Sequence, residues 1–104
     1  MPWIDTISSA DIEENTAVSF KIGGFELAIY RLDGDEFRAT DNICTHAHAY
    51  LSEGWFEDGV IECPLHAGCF DVRTGKGLGA PITADLRTYP VRVEAGMVQV
   101  ELPD

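Results

Sequence analysis

Residues 18–29 read Val-Ser-Phe-Lys-Ile-Gly-Gly-Phe-Glu-Leu-Ala-Ile, and this stretch decides the fold class. Large apolar residues occupy every second position on both sides of Gly23-Gly24. Because successive side chains of a β-strand point to opposite faces, this period indicates two strands that each bury one face. Two glycines between such runs are typical of a two-residue hairpin turn. The stretch therefore predicts an antiparallel β-hairpin.

More short strands are predicted outside this hairpin. Only residues 9–15 suggest a short helix, and residues 75–81, with three glycines, indicate a loop. Short strands joined by glycine-rich turns, without the spacing of βαβ units, favour an all-β antiparallel sandwich or barrel-like domain. The further predicted strands cover residues 36–40, 60–61, 70–73, 89–93 and 97–102, the last two as a hairpin across Ala95-Gly96.

The size and composition of the chain are those of one globular domain. It has 104 residues, of which 45% are hydrophobic and 24% charged. Such a chain can bury one modest core, but it has little room for separate cofactor and substrate domains. We therefore expect a single domain over residues 1–104.

The charge of the chain is strongly acidic. Asp and Glu outnumber Lys and Arg by 18 to 7, which gives a formal net charge of -11. This balance argues against nucleic acid and anionic membranes as partners and favours basic protein surfaces. No apolar run approaches the roughly 20 residues that span a bilayer, and the first residues do not resemble a secretory signal. We expect a cytoplasmic protein.

Two short motifs combine cysteine and histidine. They are Cys44-Thr45-His46 and Cys63-Pro64-Leu65-His66, and sixteen residues separate His46 from Cys63. Thiolate and imidazole ligands suit zinc, copper and iron-sulfur centres rather than calcium or magnesium. With three cysteines in total, a disulfide framework is a poor interpretation. The motifs predict a metal site with Cys44, His46, Cys63 and His66 as ligands.

The identity of the metal depends on how the ligands are paired. Two cysteines and two histidines can close a tetrahedral zinc site, but zinc sites usually place two cysteines on one loop and two histidines on a helix. Here each loop is mixed. Two mixed loops can instead give both thiolates to one iron and both imidazoles to the other, as in a Rieske [2Fe-2S] centre. A structural zinc module remains the alternative.

Three more stretches accompany the two motifs, and they read Ala39-Thr40-Asp41-Asn42-Ile43, Phe70-Asp71, and Thr88-Tyr89-Pro90-Val91. Glu62 directly precedes the second motif, so that residues 62–66 read Glu-Cys-Pro-Leu-His. With them, the chain closely resembles the Rieske ferredoxins of bacterial aromatic-ring-hydroxylating dioxygenase systems, of the naphthalene and biphenyl dioxygenase type. The resemblance covers essentially the whole chain.

This resemblance implies a Rieske-type antiparallel β-sandwich with a small cluster-binding subdomain, roughly residues 41–81. It implies Cys44 and Cys63 on an inner iron and His46 and His66 on an outer, exposed iron. A third loop, whose proline corresponds to Pro81, would cover the cluster.

The function implied by the resemblance is electron transfer without catalysis. A soluble carrier would take single electrons from an NADH-dependent flavoprotein ferredoxin reductase and deliver them to the terminal Rieske oxygenase. High-potential members of the family have two more cysteines, joined as a disulfide, where this chain has Ala49 and Leu65. We therefore expect a potential near the low end of the Rieske range, about -150 mV. The alternative is a small Rieske-like subunit of a nitrite reductase or another fixed redox complex.

Four residues near the motifs have simpler interpretations. We expect His48 to face solvent and Cys69 to be a buried thiol without a redox role. Trp55 and Phe56 are expected to pack beneath the loops that they connect.

Overall fold

The computed structural model describes residues 2–45, 48–65, 67–79, 82 and 84–103. Within these residues the regular secondary structure consists of strands, apart from short 3-10 helices at Ser9–Asp11 and Leu51–Glu53. The strands are β1 (Trp3–Ser8), β2 (Thr16–Ile22), β3 (Phe25–Arg31), β4 (Phe37–Asp41), β5 (Trp55–Glu57), β6 (Val60–Glu62), β7 (Cys69–Asp71), β8 (Thr88–Tyr89), β9 (Val91–Glu94) and β10 (Met97–Glu101).

The predicted hairpin is confirmed as the pair β2 and β3. Ile22 lies opposite Phe25, so the turn consists of Gly23 and Gly24 alone. Their φ angles are +52° and +88°, and a turn with two positive φ angles matches the twist of the flanking strands. The hairpin continues into a four-stranded antiparallel sheet in the order β2-β3-β4-β8.

The two ends of the chain meet in a second sheet, with the order β1-β10-β9. Trp3 lies opposite Glu101, and Val98 lies opposite Val93 in the final hairpin. The predicted strand over residues 89–93 is divided at Pro90, which has no N–H for a ladder, so that β8 and β9 belong to different sheets. The first strand, β1, was not predicted from the sequence.

The third sheet has the order β5-β6-β7 and carries the second cysteine motif at one end. Phe56, Ile61 and Phe70 are register partners across the three strands. Ile61 and Phe70 are fully buried, and Phe56 packs against the same core. A β-carbon at Gly54 would overlap the carbonyl oxygen of Glu62, so glycine lets the chain approach β6 before it enters β5.

Strand β3 separates two hydrophobic cores. Its residues Leu27 to Tyr30 are all fully buried, because alternate side chains enter different cores. We call the cluster that includes both motif cysteines the thiol core and the other the base core. The thiol core consists of Ala28, Tyr30, Leu32, Cys44, Leu51, Ile61, Cys63, Phe70, Val72 and Leu86. The base core consists of Ile12, Leu27, Ile29, Phe37, Ala39, Tyr89, Val98, Val100 and Leu102.

The antiparallel all-β prediction is therefore confirmed, although β1 and β5 were not predicted and the predicted strand over residues 89–93 is divided between two sheets. The short helical candidate at residues 9–15 is reduced to the 3-10 helix Ser9–Asp11. Within the described part of the chain, no helix is long and apolar enough to cross a membrane.

Candidate metal centre

The first cysteine motif begins a tight loop after β4. An isolated antiparallel bridge joins Ile43 to Tyr50 at the base of this loop. The N–H of Cys44 donates to the carbonyl oxygen of Ala49 at 3.0 Å, which closes the loop over the residues between them. The loop is oriented by the buried Asn42, whose Oδ1 accepts the N–H of Ser52 at 2.8 Å.

The second motif closes its loop with the same bond. The N–H of Cys63 donates to the carbonyl oxygen of Gly68 at 2.7 Å, at the end of the hairpin formed by β6 and β7. In each loop the cysteine N–H therefore bonds to the carbonyl five residues later. Ala67 completes the second turn with a φ of +56°. The same backbone hydrogen bond thus closes two loops that each present one cysteine.

The two cysteine side chains lie next to one another inside the thiol core. Cys44 is 4% exposed and Cys63 is 1% exposed, and their thiols interact directly. Burial raises the pKa of the Cys63 thiol, and the neighbouring Cys44 thiol raises it further. The N–H of Leu65 opposes this shift because it donates to the Cys63 sulfur and favours the thiolate.

This environment fits a bound metal. Two buried thiolates without a cation would cost much free energy, because each carries an unpaired negative charge. A metal ion offsets both charges and can be bound by both sulfurs, since they are adjacent. The backbone N–H of Leu65 then serves as a hydrogen-bond donor to a metal-bound sulfur, which tunes such sites.

The two predicted histidine ligands, His46 and His66, lie outside the described residues, and so does Pro81. Among the residues that are described, no group of three or more Cys, His, Asp or Glu side chains forms a metal site. The described half of the predicted ligand set is the buried pair Cys44 and Cys63.

A third segment is tied to both cysteine loops. The hydroxyl of Thr45 donates to the carbonyl oxygen of Ala84 at 2.8 Å. On the other side, the N–H of Leu78 donates to the carbonyl of Cys69. Within the segment, the N–H of Gly77 donates to Oδ1 of Asp85 at 2.9 Å. These bonds fix the described residues on either side of Pro81 against the two loops.

The predictions for the neighbouring residues have mixed outcomes. His48 is exposed, as expected, and Phe56 packs against the thiol core with its ring 5.0 Å from that of Tyr30. Cys69 is only half-buried, and its thiol lies 3.9 Å from Oε1 of Glu62; burial, followed by this carboxylate, raises its pKa. The prediction for Trp55 is wrong, because its side chain is 69% exposed. Adjacent strand residues point to opposite faces, so only one of the two aromatics can enter the core.

Sequence reasoning missed the contributions of Thr45 and of the Leu65 backbone. The spacing of the ligands gives no signal for either, because one depends on a partner 39 residues away and the other on the direction of a peptide bond. The symmetric loop closure was missed for the same reason.

Comparison with known proteins extends the description of this site. A family model described as the Rieske [2Fe-2S] domain matches residues 2–90. The ferredoxin component of a naphthalene 1,2-dioxygenase system from Pseudomonas putida is 47% identical over 100 residues, which cover 96% of this chain and 95% of that protein.

Solved structures agree with this similarity. The ferredoxin of Sphingomonas yanoikuyae B1 matches with a TM-score of 0.92 and 35% identity, over 98% of this chain and all of that one (100%). A ferredoxin-type chain in a complex of reduced oxygenase and oxidized ferredoxin of carbazole 1,9a-dioxygenase matches with a TM-score of 0.87 and 40% identity, over 94% of this chain and 91% of that one. With its paired buried thiols and this similarity along nearly its whole length, the chain belongs to the Rieske [2Fe-2S] family and is related to the ferredoxin components of aromatic dioxygenase systems.

Proposed function

We propose that the protein carries single electrons by means of one Rieske-type [2Fe-2S] cluster, with Cys44 and Cys63 as ligands of one iron and His46 and His66 as ligands of the other. The observation that carries this proposal is the pair of adjacent, buried thiols in two loops that the same backbone hydrogen bond closes. The cluster supplies reversible one-electron chemistry when bound. No catalytic residue is assigned, because the chain acts as a component of a multicomponent system.

The residues around the thiols have three roles in this proposal. The thiol core keeps water from the two sulfurs, and the N–H of Leu65 stabilises negative charge on Cys63. The hydroxyl of Thr45, bonded to Ala84, and the N–H of Leu78, bonded to the carbonyl of Cys69, hold the third segment against the loops. We further propose that residues 41–81 form a cluster-binding subdomain within a single domain, with Pro81 over the cluster.

The proposed partners are a flavoprotein ferredoxin reductase, which supplies electrons from NADH, and a terminal Rieske oxygenase, which receives them. Support for the oxygenase comes from the solved complex of reduced oxygenase and oxidized ferredoxin. Support for a system of separate components comes from relatives that are named as ferredoxin components. The cytoplasm is the proposed location; none of the three cysteines, all of which are described, forms a disulfide.

Electron paramagnetic resonance of the dithionite-reduced protein tests this proposal. We expect a Rieske-type spectrum with a low average g-value, stoichiometric iron and sulfide, and a midpoint potential near the low end of the Rieske range, about -150 mV. Two neutral imidazoles raise the potential above that of all-cysteine clusters, while Ala49 and Leu65 provide no disulfide that would raise it further.

The variant Cys63→Ser should abolish the spectrum, and the matched variant Cys69→Ser should retain it, because Cys69 lies on the outer side of the sheet beside Glu62. A colourless protein with stoichiometric zinc would refute the electron-carrier proposal. Loss of the spectrum in Cys69→Ser alone would refute the ligand assignment, and a midpoint potential above about +100 mV would refute the argument from Ala49 and Leu65.

A further inference from the structure

The outer face of the third sheet carries an ordered row of side chains. Trp55 lies opposite Glu62, which lies opposite Cys69. The row continues to Leu78, because the N–H of Leu78 donates to the carbonyl of Cys69 and Phe70 bridges to Gly77 beside them. The opposite face of the same strands enters the thiol core. This row, from Trp55 to Leu78, is therefore presented to solvent, and we call it the Trp55 face.

The Trp55 face exposes large apolar side chains beside the second cysteine loop. Trp55 is 69% exposed, Leu78 is 47% exposed, and Leu65 in the loop itself is 46% exposed. The other tryptophan of the chain, Trp3, is half-buried. Its ring is covered by the Arg92 guanidinium, whose Cζ lies 4.3 Å from the ring centroid. Exposed aromatic residues of this kind are the usual anchors of protein interfaces.

The charges on this face are mainly negative. Glu57 and Asp71 lie on either side of Val60 in the next row, on the same face as Glu62. Among the described residues, the ion pairs of the protein involve neither Glu57 nor Glu62. An apolar anchor among such carboxylates is complementary to a partner with an apolar pocket surrounded by Arg or Lys. A second copy of this chain, with the same acidic groups, would be repelled.

The position of the face connects it to electron transfer. Glu62 directly precedes Cys63, and Leu65 lies within the loop that Cys63 begins. The Trp55 face thus adjoins the loop that carries half of the proposed ligands. Closeness to this loop matters for a partner that exchanges electrons with the proposed cluster, so an electron-transfer protein is the expected occupant.

We propose that the Trp55 face is part of the docking surface for the terminal oxygenase and that Trp55 is its apolar anchor. This inference rests on the proposed function. The oxygenase is the chosen occupant because a chain 40% identical to this one is seen in complex with an oxygenase.

The test measures electron transfer from the reduced holoprotein to the terminal oxygenase of the naphthalene 1,2-dioxygenase system of Pseudomonas putida, whose ferredoxin is 47% identical to this chain. The variant is Trp55→Ser. The matched control is Val93→Ser, because Val93 is also an exposed apolar strand residue, at 42%, but lies in the terminal sheet. Stopped-flow mixing at increasing oxygenase concentration gives the second-order rate constant.

We expect Trp55→Ser to lower this rate constant by about tenfold or more, with unchanged electron paramagnetic resonance spectrum and midpoint potential, and Val93→Ser to leave it within about twofold. A second variant, Glu57→Gln, should reduce the dependence of the rate on ionic strength. An unchanged rate in Trp55→Ser, or an equal loss in Val93→Ser, would overturn the proposal.

Two other outcomes have distinct meanings. If Trp55→Ser impairs only the reduction of the protein by the reductase of the same system, the face belongs to the reductase and the assignment to the oxygenase is wrong. If the wild-type holoprotein, with its cluster intact, transfers no electrons to the oxygenase, the failure lies in the proposed function itself.

Discussion

The thiol core and the base core share the wall formed by β3 but differ in construction. The base core is enclosed by long ladders, since β2 and β3 have seven residues each and β10 has five. The thiol core is enclosed on its outer side by β5, β6 and β7, which have three residues each. It also contains two thiols where the base core has apolar side chains and one tyrosine. The base core is filled by protein side chains alone, whereas the thiol core contains two thiols that a metal centre would ligate.

Removal of the metal should therefore affect the two cores very differently. We expect iron chelation to increase amide hydrogen exchange in β6 and β7 by at least about a hundredfold, because three-residue strands around two unligated thiols have little other stabilisation. Exchange in β10, which pairs with both β1 and β9, should change much less. Peptide-resolved mass spectrometry of the holoprotein and the iron-free protein measures both.

Two results of that experiment would contradict the expected difference in how the two cores depend on the metal. Equal loss of protection in β10 would show that the base core also depends on the metal. Full retention of protection in β6 and β7 would show that the short strands and loop-closing bonds are sufficient without it.

A smaller difference should be visible at alkaline pH, because each core contains a buried tyrosine. Burial raises the pKa of Tyr89 to about 12, and its hydrogen bond to Asp41 raises it in the same direction. In the unfolded chain the pKa is near 10. A raised pKa in the folded state means that the contribution of Tyr89 is complete below about pH 10 and is lost between about pH 10 and 12.

The variant Tyr89→Phe should therefore remove about 2 kcal/mol of the stability that the wild type loses over this pH range. Urea denaturation at a series of pH values between 8 and 12 measures the slope of the unfolding free energy against pH. Burial also raises the pKa of Tyr30, whose hydroxyl lies 2.8 Å from Oγ1 of Thr40, so part of the slope should remain in the variant. Identical slopes in wild type and Tyr89→Phe would show that the pKa of Tyr89 is not raised in the folded state.

The sequence predicts the two cores to different extents. The β2 and β3 hairpin can be predicted because its alternation and its glycine turn are local signals. Strand β1 cannot, since its partner β10 lies at the other end of the chain and the sequence Trp3–Ser8 has no clear alternation. The burial of Ala28 and Tyr30 was also missed, because period two describes only one buried face, and β3 has a core on each side.

The candidate site shows the same limit on a smaller scale. The residue types and spacing of Cys44 and Cys63 are sufficient to predict them as metal ligands, and the family resemblance implies the inner position that agrees with their burial. Trp55 and Phe56, however, could not be assigned to opposite faces without the register between β5 and β6. Chemistry that resides in a side chain can be predicted from sequence, while orientation and hydrogen bonds from the backbone depend on partners that only the fold supplies.

The smallest predicted effect concerns an ion pair between the side of the thiol core and the side of the base core. Arg73, which follows β7, donates through Nε and Nη2 to the two carboxylate oxygens of Glu36, at 2.8 and 3.1 Å. Glu36 precedes β4, whose Phe37 enters the base core. Arg38 also pairs with Glu36, at 3.0 Å, but it lies in β4, two residues from Glu36, and so does not connect Glu36 to β7. Arg73→Gln therefore breaks a connection between the two sides, and Arg38→Gln is the control that removes a charge without breaking it.

Because exposed ion pairs contribute little, we expect Arg73→Gln to increase amide exchange in β7 of the holoprotein by only about twofold, without a change in β10. Arg38→Gln should leave β7 unchanged. The Arg73 guanidinium lowers the pKa of Glu36, so the contribution of the pair exists above the ordinary glutamate pKa, about 4.3, and is lost as the pH falls below it. The difference between Arg73→Gln and wild type should therefore shrink with acidification and with added salt. An effect of the same size in Arg38→Gln would mean that the charge of Glu36, rather than its bridge to Arg73 beside β7, is what matters.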